Sequence, residues 1–486
     1  MLNFSIQSPI INGITRVPRG MNYSWKDKIH YATSNAKLVG LTLVGVGLDA
    51  IRANMTISKK VMSLLVPATT NAQTGIVDDD SDAAFLDRRF NDTFSLWIKR
   101  LPDDQSYLLD LSDKALFADL SYTTGASFLR CQCFFTHTEI RKIVLLDNHD
   151  REFTYTPQST DHWRWMICKA YVDSACIQLN VHHHVLFGHR LTQWYNACLM
   201  IPAMKAHPLK TFLEGYFDKT VALFGLTRFF GIDVFYDVDL TISHLDTQSM
   251  HIFHERLLRS LEHQDLARLD IQSRLRHNNL SDPPSYYGFA QTILADYNIE
   301  RRLVEDVLDG IFPSDDSVIQ DTCLSEFWHA FHRGCGMVRS PAPLTKSNLT
   351  AMIMVLVSII LDHSMEHATT DRSFCSAFRI PLRVKETKAD LSGLDNPKQF
   401  FFDKVIGGST LAFSQAGLAL GYSTHKLPSY VQKQYRMWGT HTPMTSILSR
   451  QQLDAYQKKL DDLQTHLLAN GLENYCKANL PMSVRD

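Results

Sequence analysis

Four of the nine residues in Val181-His-His-His-Val-Leu-Phe-Gly-His189 are histidine, and the stretch runs on through an apolar, helix-like segment to Ala206-His207-Pro208. Histidine titrates near neutrality, and its neutral imidazole is the commonest protein ligand for borderline metals. Spacing then selects among the four. His184 and His189 are five apart, so an ordinary α-helix would turn their side chains roughly 140° away from each other. A π-type turn, which closes i to i+5, brings such a pair to one side, and turns of this kind often sit at functional sites. The pair therefore reads as H-x4-H on a locally widened helix. The competing reading, for any single histidine here, is a half-exposed helix face that happens to be rich in the residue.

A second stretch weighs against that plainer reading. Leu361-Asp-His363-Ser-Met-Glu-His367-Ala-Thr-Thr-Asp371 ends an almost uninterrupted apolar run that begins at Leu349. His367 and Asp371 are four apart and share a helix face, with His363 one turn earlier as a spare nitrogen. Two buried helices would then aim a His pair and a His/Asp pair at each other.

This pattern resembles the catalytic domain of the lipoxygenases. That family holds a non-haem metal with H-x4-H on one long helix, H-x3-N (sometimes H or S) on another, and the carboxylate of the last residue. Leu480-Pro-Met-Ser-Val-Arg-Asp486 resembles the family's I-P-N-S-I-x-I ending, with proline and serine in register. Asp161-His-Trp-Arg-Trp-Met-Ile-Cys-Lys169 resembles its D-W-L-L-A-K approach to the first metal helix, and Ile201-Pro-Ala-Met-Lys-Ala-His207-Pro208 its L-P-x-x-H-P. The resemblance covers residues 100 to 486.

The resemblance implies a mostly α-helical catalytic domain around a long metal-bearing central helix, with a small β subregion. It also implies an organisation of residues 101–486 as that domain and 1–100 as an amino-terminal extension packed on it. The amino-terminal β-barrel that animal and plant members use to touch membranes is not expected. The implied activity is oxygenation of a polyunsaturated fatty acid by O2 to a hydroperoxide, after hydrogen abstraction from a doubly allylic carbon. The implied metal is one non-haem iron, with manganese the alternative, held by His184, His189, His367, Asp371 and the terminal carboxylate of Asp486. The same three histidines are the implied catalytic groups. Val185 falls where a substrate clamp is expected, and Thr227 near the position whose size sets stereochemistry.

Several positions depart from the family. Asp371 stands where a neutral side chain is usual, and a second anionic oxygen would lower the reduction potential of the metal. Glu366 replaces a glutamine, Arg190 replaces an apolar residue after the second ligand, and Asp486 replaces a terminal isoleucine. These leave two alternatives beside the dioxygenase: a metal enzyme of the same fold with other chemistry, such as a hydroperoxide isomerase, and an inactive relative that binds a lipid or a partner.

Composition bounds the rest. Forty-nine basic and 51 acidic residues give a net charge of −2 and are mixed along the chain, so nothing provides the basic face that nucleic acid requires. A 45% hydrophobic content supports a large core. Nine scattered cysteines, mostly in apolar surroundings, point to reduced, buried thiols and a cytoplasmic protein. The pair Cys131 and Cys133 alternates as strand neighbours do and has no second pair to complete a zinc site. Residues 1–9 lack the pattern of a signal peptide, and the apolar piece Leu38–Leu48 is too short to cross a membrane. Peripheral membrane contact is the expected limit.

Tyr107–Leu111, Phe128–Phe135 and Ile140–Leu146 read as strands. After Asp161 the chain reads as mostly helix. Met250–Leu275 and Asp296–Phe312 show helical spacing, the latter stopped near Gly310 and Pro313. Ser449 and Gln452 form a capping box for a last helix in which Leu453, Tyr456, Leu460, Leu463 and Leu467 recur at four and three, with Gly471 as its stop.

Overall fold

The alternating apolar residues that begin at Tyr107 shape the first part of the protein. Its structure is a computed structural model that describes residues 81–91, 93–103, 106–214, 216, 245–262, 266–335, 343–375, 384–405 and 447–470, together with Gly40, Leu43, Val44 and Gly47. Within the described helices, some residues, among them Val185, Arg190, Glu366, His367 and Asp371, are described in their backbone only. Thr227, Gly471 and Asp486 lie outside the described residues.

A first helix, α1 (Asp82–Asn91), and a 3-10 turn, Thr93–Trp97, lead into five antiparallel strands. The strands β1 (Ile98–Arg100), β2 (Tyr107–Leu111), β3 (Arg130–Phe135), β4 (Ile140–Leu146) and β5 (Glu152–Tyr155) lie side by side in chain order. The three segments read as strands are thus its middle, and the short edges β1 and β5 complete it. Leu109 pairs with Cys133, and Cys133 with Ile143. All three are within 1% of full burial, so this row faces inward, where β3 packs on the helix that follows.

That helix, α2 (His162–His183), begins where Asp161 accepts from the amides of Trp163 and Arg164. Every residue from Trp165 to Leu179 is buried, Lys169, Asp173, Ser174 and Gln178 among mostly apolar neighbours, which places α2 as a core helix. It carries on through the π-helical turn His184–Leu191 into α3 (Thr192–Leu199). Beyond it come α4 (Pro208–Glu214), α5 (Thr247–Glu262), α6 (Ile271–His277), α7 (Gly288–Ile311), α8 (Thr322–Cys335), α9 (Lys346–Cys375) and α10 (Arg450–Ala469).

The helical spacing expected across Met250–Leu275 is split in the structure. Asp270 accepts from the amide of Ser273 and from the hydroxyl of Tyr297, starting α6 afresh and tying it to α7. An aspartate that finds a cap there outcompetes continuation of the helix. The last helix matches its expectation: the Ser449 side chain accepts from the Gln452 amide, and Gln452 Oε1 accepts from the Ser449 amide at 2.9 Å. Buried Glu300 on α7 fastens this helix by accepting from Tyr456 at 2.7 Å and, on its other oxygen, from Tyr216 at 2.8 Å.

Helix α9 runs alongside α7. Its segment Lys346–His363 is long and apolar enough to cross a membrane, with mean hydropathy 1.2, but 72% of it is buried inside the protein. That burial marks the central helix of a packed core, and the apolar run Leu349–Leu361 is its cause.

Residues 82–100 share this core. Phe85, Leu86, Phe90 and Leu96 join its cluster, and β1 pairs with β2. Arg89 of α1 is fully buried, lies 3.9 Å over the Phe85 ring and pairs with Asp173 of α2, with Arg88 3.3 Å from the other oxygen. Burial alone would raise the Asp173 pKa, but Arg89, Arg88 and Lys169 overcome it and hold the carboxyl below the usual carboxylate range. A depressed carboxyl stabilises the fold fully above its unfolded value, near pH 4, and loses that contribution as pH falls through the folded value. Asp173→Asn is therefore expected to lower stability in neutral urea denaturation and to flatten the fall in stability below about pH 4. An unchanged acid limb would contradict this role for the pair.

Candidate metal centre

Three consecutive histidines on a helix point about 100° apart from one another, so they cannot share one neighbour. His182 Nδ1 lies 2.7 Å from Nε2 of His254 on α5, a contact within the core. The ring of His183 sits edge-on to Trp97 at 5.1 Å and to Phe187 at 4.7 Å, and burial drives its pKa well down. Only His184 turns toward α9.

The widened turn read from the spacing is present. His184–Leu191 is π-helical, and it brings His184 Nε2 to 3.1 Å from His189 Nε2. Such a turn displaces backbone carbonyls from their helical partners. Here the Thr192 hydroxyl donates to the carbonyls of Gly188 and His189, the latter at 3.0 Å. Thr192→Val keeps the shape and removes the donor, so it is expected to cost about 1 kcal/mol in urea denaturation. No loss would show that the hydroxyl does not support the turn.

The third imidazole comes from α9 and is His363. Its Nε2 stands 3.4 Å from His189 Nε2, and ligand atoms of His184, His189 and His363 all fall within 4.8 Å of one another. The His363 ring stacks on His184, with centroids 4.3 Å apart and planes at 19°, and meets His189 at 87°. Among the described residues His363, read from the sequence as a spare nitrogen, is the one that joins His184 and His189, while His367 lies one turn farther along α9 with its side chain undescribed. The signal was in the sequence. His363 and His367 are themselves four apart, the H-x3-H form of the same motif, one turn ahead of the His367/Asp371 pair.

Two of the three nitrogen separations, 3.1 Å for His184–His189 and 3.4 Å for His363–His189, fit a shared metal ion. Imidazole nitrogens about 2.1 Å from a shared ion, at angles between octahedral and tetrahedral, stand about 3.0–3.4 Å from each other. Three converging nitrogens without a cation would need shared protons or would repel. Burial lowers the His184 pKa to about 4, against the opposing pull of Asp362, so its lone pair is available at neutral pH.

A buried ion pair braces the group. Asp362, next to His363, accepts from Arg274 of α6 at 2.5 Å; the guanidinium lies 4.9 Å over Trp97, whose ring in turn meets His183. Neither Asp362 nor Arg274 is marked by motif or spacing. Tyr195 of α3 ties that helix to α9 by donating to its Met352 carbonyl at 3.0 Å.

Comparison with solved structures agrees with this architecture. The crystal structure described as "Delta413-417:GS LOX" matches with a TM-score of 0.80 at 13% identity, covering 97% of this chain and 76% of that one. The anaerobic structure of the same LOX in complex with arachidonate gives 0.77 with the same identity and coverage. A calcium-dependent 11R-lipoxygenase gives 0.68 at 13% identity, covering 87% of this chain and 72% of that one. No protein-family model matches the sequence, and no curated protein does. The chain has the fold of a lipoxygenase catalytic domain.

Proposed function

We propose that this protein is a non-haem metal dioxygenase that oxygenates a polyunsaturated fatty acid to a hydroperoxide. The observation that carries the reading is the convergence of His184, His189 and His363, with nitrogens 3.1 and 3.4 Å apart, at the junction of two core helices in a lipoxygenase fold. The structural neighbour holding arachidonate supports a fatty acid as the substrate class.

His184, His189 and His363 would hold the ion, iron or manganese, with His367 as the second histidine of the H-x3-H motif. When bound, that ion supplies the one-electron oxidation that breaks a doubly allylic C–H bond. The chain contributes three neutral nitrogen donors, held in place by the π turn and the Asp362–Arg274 pair, in an interior that limits water. Asp371 falls a further turn along in this register. A neutral ligand set of this kind favours the dioxygenase over the isomerase, whereas Asp371 on the metal would lower its reduction potential and favour the isomerase.

Oxygen uptake and conjugated-diene absorbance, measured on metal-loaded protein with linoleate or arachidonate, test the proposal. Uptake with one of them is expected. Metal-loaded protein that consumes no oxygen, yet converts fatty-acid hydroperoxide anaerobically, would replace dioxygenase by isomerase.

A further inference from the structure

Gly188 lies in the π-helical turn immediately before His189, beneath the ring of His363. A Cβ at this position would stand 2.6 Å from His363 Cδ2, 3.4 Å from its Cγ and 3.6 Å from its Cβ. Carbon atoms in ordinary contact are about 3.5–4.0 Å apart, so the ring would have to retreat by about 1 Å. Cδ2 is bonded to Nε2, the atom that faces His189, so a methyl group here pushes on the neighbour of the ligating nitrogen. The ring has little room to yield, because His184 covers one of its faces and His189 stands at its edge.

Among the described residues, the three atoms nearest to that Cβ all belong to His363. The φ of Gly188 is not in the left-handed region, and glycine is a poor residue for a helix interior, where alanine would be favoured. We propose that Gly188 is a positioning residue: its missing side chain is the clearance that lets His363 reach the same ion as His184 and His189. The inference deepens the metal-site reading and rests on it.

The test is a cycle of Gly188→Ala, His363→Ala and the double variant, each full-length and metal-free, titrated with Co2+ while the visible spectrum is recorded. Gly188→Ala is expected to bind Co2+ at least about ten-fold more weakly, with a shifted band, and to add nothing to the loss in the His363→Ala background. Melting temperatures of the apo forms should follow the same logic: Gly188→Ala lowers it beside an intact His363 and does not lower it beside Ala. Wild-type affinity and spectrum in Gly188→Ala, or equal losses in both backgrounds, would overturn the assignment. Should Gly188→Ala fail to fold, the double variant is expected to fold, and its failure would equally overturn it. Wild-type protein that binds no Co2+ would defeat the metal reading itself, while the melting cycle still decides whether Gly188 clears His363.

Discussion

His363→Ala is expected to lower metal affinity by on the order of 100-fold or more while leaving the helical signal near that of the wild type. Removing a hydrogen-bond partner behind a ligand typically costs 10–100-fold, and losing the ligand itself costs more. The residue sits 1% exposed with its ring stacked on His184, so the substitution also opens a cavity, and a modest loss of stability should accompany the loss of metal. Metal analysis after dialysis, with circular dichroism on the same samples, separates the two effects. A His363→Ala protein that retains its metal would return the third position to His367 alone.

The second large effect falls on Arg274. Asp362 is buried and Arg274 largely so, with side chains 5% and 9% exposed, and Asp362 adjoins His363. Truncating one partner of a buried pair strands the other charge and typically costs about 3–5 kcal/mol, whereas replacing both by apolar residues of similar size is often close to neutral. Arg274→Ala is therefore expected to destabilise by about that amount in urea denaturation. Arg274→Met combined with Asp362→Leu should recover most of it. Comparable losses in the single and double variants would show that packing over Trp97, rather than charge pairing, is what Arg274 contributes.

Much of this architecture could be read from residue order. The H-x4-H spacing required a π turn, and the turn is there, because only i to i+5 closure brings His184 and His189 together. Leu349–Leu361 had the length and apolarity of a central helix and is one. The three strand segments and the Ser449 cap were legible because period-2 alternation and capping chemistry are local signals. What could not be read depends on the approach of distant elements. His363 and His367 present the same residue type one turn apart, and periodicity alone does not say which of them faces a helix nearly two hundred residues away. The structural roles of His182 and His183 follow from His254 and Trp97, which no spacing links to them. The tie of Asp270, which starts α6, to α7 comes from Tyr297, and the pairing of Asp362 beside His363 from Arg274.

On the proposed function, His184, His189 and His363 hold one metal ion. Metal content measured on untagged protein, beside His184→Ala, His189→Ala and His363→Ala variants prepared identically, tests it most directly. Close to one iron or manganese per wild-type chain is expected, with a near-empty site in each folded variant. A metal-free wild type, even after incubation with Fe2+ or Mn2+, or variants that keep the ion, would contradict it.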